Sequence, residues 1–217
     1  MTRCVILANG KMENYAWYRS LLLADDIILC ADGGALHARK LNVIPRGVIG
    51  DMDSIAPELL EEFASRGTEI RRYSPVKDEI DSLLALEWAF EYEPTEILLL
   101  GGIGSRLDHT IASIHLLLRG AKRGVKVRLL DEIQEVFLVT PELPALCSLE
   151  EGTLCSLLPH GEQASGITTE NLKYILRSNV MEAGNPVGIS NVVTGKPFKI
   201  TVETGILIAF MLFQPVP

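Results

Sequence analysis

Six short apolar runs, RCVILA, DIILCA, RGVIG, EILLLGG, KVRLL and EVFLVT, recur along residues 1–140, several of them bounded by Gly, Asp or Asn, with stretches of helical periodicity between them. This spacing constrains the fold more than any other feature of the chain. Such runs read as buried strands, and alternation of buried strands with helices forms a mostly parallel, Rossmann-like sheet covered by helices on both faces. Within EIDSLLALEWAFEY, the residues Ile80, Leu83, Leu84 and Phe90 are expected to share one helical face, as are Leu107, Ile111, Ile114 and Leu118 further on. Beyond about residue 140 the pattern changes to short strands punctuated by Gly and Pro, with one possible helical turn near Leu172. The expected fold class is therefore α/β over residues 1–140, followed by a smaller, all-β, sandwich-like domain over 141–217.

Composition narrows the function. The 217 residues carry 28 acidic against 20 basic side chains, a net charge of -8, which disfavours a nucleic-acid surface and suits a cationic small molecule. The longest late apolar run, ILIAFMLF, is too short to span a bilayer, so no membrane association is expected. Cys4, Cys30, Cys147 and Cys155 form no C-x-x-C pair, which suits a reducing compartment, with cytoplasm as the expectation.

All nine aspartates lie in the first 131 residues, so aspartate chemistry belongs to the α/β part. Six of them fall in four compact segments: CADGGA with Asp32, GDMDS with Asp51 and Asp53, VKDEID with Asp78 and Asp81, and GGIGSRLDH with Asp108. Three segments directly follow an apolar strand, and the fourth follows the weaker strand candidate TEIRRYS. In a doubly wound sheet these junctions share the carboxyl edge of the strands, where ligands bind. If GDMDS is extended, Asp51 and Asp53 point the same way, and their like charges call for a cation between them. A second reading makes Asp53-Ser54 a cap for a helix opening at Pro57. Clustered aspartates, Gly-rich backbone, Lys77 and Arg106 together form a kit for Mg2+ and polyphosphate. No G-x-x-x-x-G-K-[ST] motif is present, and Leu107 stands where a dinucleotide fingerprint needs its third Gly, so a dehydrogenase is a weak contender.

ADGGA, GDMDS, KDEID, GGIGSRLDH, GITTENLKY and GISN, in that order and spacing over about residues 31–191, resemble the motif set of the thiamine pyrophosphokinase family. The resemblance implies a nucleotide-binding catalytic domain and a β-sandwich thiamine-binding domain. It also implies a homodimer with sites at the subunit interface, and transfer of diphosphate from Mg-ATP to thiamine, giving thiamine diphosphate and AMP. On that basis Asp51, Asp53 and Asp81 are the expected Mg2+ ligands, and Lys77 and Arg106 hold phosphate oxygens. Asp78 and Gly102 belong to the nucleotide site, and Asp108 orients Arg106 or the nucleotide. Asp32 and Gly33 lie against substrate or cap the following helix, and Ser190-Asn191 binds the aminopyrimidine or forms an ordinary turn. Two positions depart from the family pattern: Ile80 replaces a Thr, and Ser105 replaces a Gly before the Arg. A diphosphokinase for another alcohol, such as a pterin, and a non-catalytic nucleotide-binding module are the alternatives.

Overall fold

The computed structural model describes residues 2–74 and 79–213, and five α-helices lie among them. The chain divides into two compact units, Met1–Leu116 with Val127–Glu132, and Leu117–Lys126 with Ile133–Pro217. No helix among the described residues is long and apolar enough to cross a membrane.

The first unit holds strands β1 (Arg3–Leu7), β2 (Ile27–Ala31), β3 (Gly47–Gly50), β4 (Glu69–Arg72), β5 (Glu96–Leu100) and β6 (Lys126–Leu130). Their order is β4-β3-β2-β1-β5-β6, and β1 runs parallel to β2 and β5, as β3 does to β2 and β4. The helices are α1 (Tyr15–Leu21), α2 (Gly34–Leu41), α3 (Pro57–Ser65), α4 (Asp81–Phe90) and α5 (Leu107–Ala121). Val5, Leu7, Ile28, Cys30, Leu98 and Leu100 point to one sheet face, where they pack with Tyr18 of α1, Ala38 and Leu41 of α2 and Phe63 of α3. The alternate residue Cys4 meets α4 through the carbonyl of Ala89, and Trp88 lies where a Cβ on Gly47 would stand, 1.9 Å from its ring. Strands buried on both faces need apolar residues at every position, which accounts for the unbroken runs in the sequence.

Periodicity misassigned the faces of two helices. In α4 the buried residues are Ala85, Leu86, Trp88 and Ala89, while Ile80 is 40% exposed. In α5, Leu107 and Ile111 are exposed, and Ser113, Leu116 and Leu117 are buried. Helix α4 is apolar most of the way round, so a 3.6-residue period does not single out one face, and the small residues Ala85 and Ala89 take the buried side; in α5 the buried face begins only at Ser113, past the first turns that carry Leu107 and Ile111. Helix α1 was not anticipated; its start is marked by Asn14, whose side chain accepts from the Trp17 amide at 3.1 Å.

The second unit contains β7 (Gln134–Val139), β8 (Ala145–Cys147), β9 (Leu154–Glu170), β10 (Asn179–Glu182), β11 (Asn191–Val192), β12 (Phe198–Thr201) and β13 (Thr204–Leu212). Its strands follow the order β7-β13-β9-β12-β8, with β10 and β11 also pairing with β9, and each of these pairings is antiparallel. Phe137, Leu157, Ile167, Phe198, Leu207 and Met211 belong to its core. Leu172 forms a bridge to Val193 rather than a helical turn.

Helix α2 seats tightly on β1. A Cβ on Gly34 would stand 1.9 Å from the Leu7 carbonyl oxygen, a backbone atom that no rotamer change can move. Alanine ordinarily favours a helix by about 1 kcal/mol over glycine, but overpacking a rigid contact costs about 1–3 kcal/mol and acts on every atom at the junction. Gly34→Ala is therefore expected to lower stability by about 1–3 kcal/mol in urea unfolding; a gain in stability would mean that α2 lifts from β1 without penalty.

Candidate active site

The strand order reverses beside β1: the chain steps outward through β2, β3 and β4, then returns to the other side of β1 with β5. In an open α/β sheet, ligands bind outside the carboxyl edge of the strands at such a reversal. A cavity of about 470 Å³ occupies that position. Its walls include Asn9, Gly10 and Lys11 after β1, Asp32 after β2, Asp81 at the start of α4, and Gly102 and Arg106 after β5.

Asp32 of this wall meets the two aspartates that follow β3. One carboxylate oxygen each from Asp32, Asp51 and Asp53 lies within 4.8 Å of the others. Asp32 is 6% exposed, adopts a left-handed backbone (φ 44°), and its Oδ1 is buried without a hydrogen-bond partner. Burying such an oxygen unpaired is unfavourable, and three like charges at this range repel, so the arrangement is matched to a cation.

The local geometry of GDMDS differs from the extended segment expected. Met52 has φ 69° and a buried side chain, and the Asp53 amide donates to Asp51 Oδ1 at 3.2 Å. A tight turn, rather than strand alternation, brings the two carboxylates together. Asp53 does not cap α3; the cap position is Ala56, with no side-chain hydrogen bond, and Asp53 instead accepts from Ser54 Oγ at 2.9 Å.

The other expected residues divide. Asp81 lines the cavity, as Asp32 does, but is not a member of the three-carboxylate cluster, which Asp32 completes instead. Lys77 and Asp78 lie outside the described residues. Gly33 holds the N-cap position of α2 without a side-chain cap, so Asp32 does not cap that helix through its carboxylate. Gly102 lines the cavity where a Cβ would stand 2.6 Å from Leu129 Cδ1. Arg106 Nη2 donates to Asp108 Oδ2 at 2.6 Å, and both side chains are well exposed. This hydrogen bond holds the Asp108 carboxyl below its ordinary range and raises Arg106, so the guanidinium is oriented while keeping donors available. Ile80 lines the cavity and is 40% exposed, so it belongs to the cavity wall and not to the core.

In the second unit Asn191 is a bracing residue. Its Oδ1 accepts from the Tyr174 and Val192 amides, each at 2.9 Å, and its Nδ2 donates to the Tyr174 carbonyl at 2.7 Å. Ser190 has φ 59° and donates its amide to Ser156 Oγ at 3.0 Å. The pair thus forms the turn that fixes Tyr174, whose own side chain is 60% exposed. Sequence reasoning did not single out Tyr174, nor Asn9 and Gly10 of the cavity wall; the small residues Asn9-Gly10 directly after a buried strand were the available signal.

A family model described as thiamin pyrophosphokinase, catalytic domain, matches residues 18–129, just over half of the chain. The chain belongs to the thiamine pyrophosphokinase family. A second model, the thiamin pyrophosphokinase vitamin B1 binding domain, matches residues 145–207. The chain is 29% identical over 177 residues to a thiamine pyrophosphokinase of Bacillus subtilis, a match covering 82% of this chain and 83% of that protein. It is 28% identical over 230 residues to thiamine pyrophosphokinase 1 of rice, covering 94% and 84%. The solved structure of a Bacillus subtilis thiamine pyrophosphokinase superposes with a TM-score of 0.87 at 25% identity over 99% of this chain and all of that one. Yeast thiamin pyrophosphokinase, at 19% identity and a TM-score of 0.76 over 98% and 86% of the two chains, shares the fold.

If the three carboxylates repel one another in the ligand-free protein, neutralising one relieves strain and removes a cation ligand together. At Mg2+ about ten times its Kd, the wild type is expected to gain about 1.4 kcal/mol, seen as a rise in Tm. Asp53→Asn should match or exceed the wild-type Tm without Mg2+ and lose most of the rise; an undiminished rise would place the cation elsewhere.

Proposed function

We infer that this chain is a thiamine diphosphokinase, an ATP-dependent diphosphotransferase that moves the terminal diphosphate of Mg-ATP to the hydroxyl of thiamine and releases AMP. One observation carries the reading: in a chain matched by both family models, the cavity at the strand-order reversal holds Asp32 with an unpaired buried oxygen, clustered with Asp51 and Asp53. The unit carrying β1–β6 is read as the Rossmann-like catalytic domain, and the antiparallel unit carrying β7–β13, which takes in the EVFLVT run expected in the first, as a sandwich-like thiamine-binding domain. Four cysteines without a disulfide support a reducing, cytoplasmic setting.

Three carboxylate oxygens, one of them unsatisfied, are hard donors of the kind that Mg2+ takes. Asp32, Asp51 and Asp53 would hold it, with Asp81 on the same cavity wall, and the bound ion would supply charge neutralisation for phosphate oxygens. The chain's own groups do the positioning. Arg106, steadied by Asp108, offers guanidinium donors to the transferring phosphates. Lys77 and Asp78 enter this reading on sequence alone. The thiamine hydroxyl oxygen attacks the β-phosphorus in line and gives up its proton to solvent, the bond from that phosphorus to the α–β bridging oxygen breaks, and AMP leaves with the electron pair.

Tyr174 is the exposed aromatic of the second unit among the described residues, and its ring already faces a cation, with Lys173 Nζ 5.5 Å from the centroid. A ring of this kind, fixed by Asn191 through its backbone, suits the cationic, aromatic thiamine. Tyr174→Ala should raise the KM for thiamine about tenfold with little change for ATP, since such contacts contribute about 1–2 kcal/mol; an unchanged thiamine KM would remove Tyr174 from the site.

The reaction itself is tested by products. With Mg-ATP and thiamine the protein is expected to form AMP and thiamine diphosphate in equal amounts. ADP as the main product would overturn diphosphate transfer, and AMP formed with a pterin alcohol but not with thiamine would keep the chemistry and replace the acceptor.

A further inference from the structure

The cavity wall formed by Asn9, Gly10 and Lys11 has no secondary structure of its own, yet the structure ties it down on two sides. On the sheet side, the Ala8 amide donates to the Leu100 carbonyl at 2.8 Å and the Gly10 amide to the Gly101 carbonyl at 2.9 Å. A Cβ on Gly10 would stand 2.1 Å from that Gly101 oxygen, so the loop after β1 and the loop after β5 lie backbone against backbone. On the helix side, the Gly10 carbonyl lies 2.8 Å from His37 Nε2, and His37 Nδ1 lies 2.7 Å from Tyr15 Oη. His37 is 9% exposed on α2, the helix that begins just after Asp32-Gly33.

We propose that His37, held by Tyr15, is a positioning residue for the nucleotide: it fixes the loop 9–11 to the helix that follows Asp32, and so sets the distance between two walls of the cavity. The proposal rests on the nucleotide occupying that cavity, as inferred above. Hydrogen-bond logic settles the polarity of the chain. A carbonyl can only accept, so Nε2 carries the imidazole proton, and Nδ1 accepts from the Tyr15 hydroxyl. Burial, the largest influence on its titration, favours the neutral ring that this pattern needs. One imidazole thus spans from α1 through α2 to the loop. Asn9 reinforces the same junction, its side chain lying where a Cβ on Gly33 would stand.

A histidine that merely filled space would be replaced best by an apolar residue of similar size, and a positioning histidine by one that still donates at the Nε2 position. His37→Leu and His37→Gln therefore separate the two roles. For His37→Leu the KM for Mg-ATP should rise about tenfold, the loss of one buried hydrogen bond, with the KM for thiamine unchanged and kcat falling less than KM rises. His37→Gln should restore most of the ATP KM. Amide hydrogen exchange of the ligand-free protein over residues 9–13 should quicken in the leucine variant and return toward wild type in the glutamine variant. Leucine performing as well as glutamine, in either exchange or ATP KM, would overturn the proposal. Should the wild type fail to use Mg-ATP, the functional reading fails, and a difference in exchange between the two variants still decides whether His37 holds the loop.

Discussion

Three carboxylates converging within a few ångströms at the ends of two adjacent strands is an arrangement that an isolated loop would not sustain. Repulsion would part Asp32, Asp51 and Asp53 unless their backbone were fixed by something stronger, and here that is the parallel sheet. The Asp32 amide donates to the Ile49 carbonyl at 2.8 Å, which locks the turn after β2 to the last residues of β3. Both strands are buried on both faces, so the cost of parting the carboxylates would be paid in core packing. The site is held by apolar residues that never touch a ligand.

The same dependence explains why helices fit so closely around β1. Gly34 on the Leu7 carbonyl and Gly10 on the Gly101 carbonyl are contacts between backbones, without a side chain to cushion them. They place the start of α2 and the loop after β5 within reach of one cavity. A doubly wound sheet provides the crevice; the absence of Cβ atoms at these two positions lets its walls close around something as small as a phosphate chain.

Much of this was legible in the sequence, because the signals were local and redundant. Unbroken apolar runs mark strands buried on both faces, and the helix expected after Asp32-Gly33 is α2, Gly34–Leu41. The pairing of Asp51 with Asp53 was legible, but not its cause, since a left-handed Met52 depends on its side chain finding a buried place that only the folded chain provides. Which carboxylate joins them was not legible either: Asp32 and Asp81 are both next to the cavity, and the choice is made by the neighbouring position of β2 and β3. Asn191 looked like a ligand group because Ser-Asn in a turn offers polar atoms, yet its amide is consumed in holding Tyr174. The face assignment in α4 failed because apolar residues surround the helix, and small residues such as Ala85 and Ala89 take the buried side; that in α5 failed because its first turns, with Leu107 and Ile111, are exposed.

Trp88, nearly inaccessible at 1% exposure beneath the Arg71 guanidinium, and Trp17 on α1 are the two tryptophans of the chain, and both lie in the first unit. Indole emission is therefore an intrinsic optical label for one half of the molecule. Excited selectively, it follows the melting of the aspartate-bearing unit while the antiparallel unit stays dark, so the folding cooperativity of the two halves can be resolved in the unmodified chain.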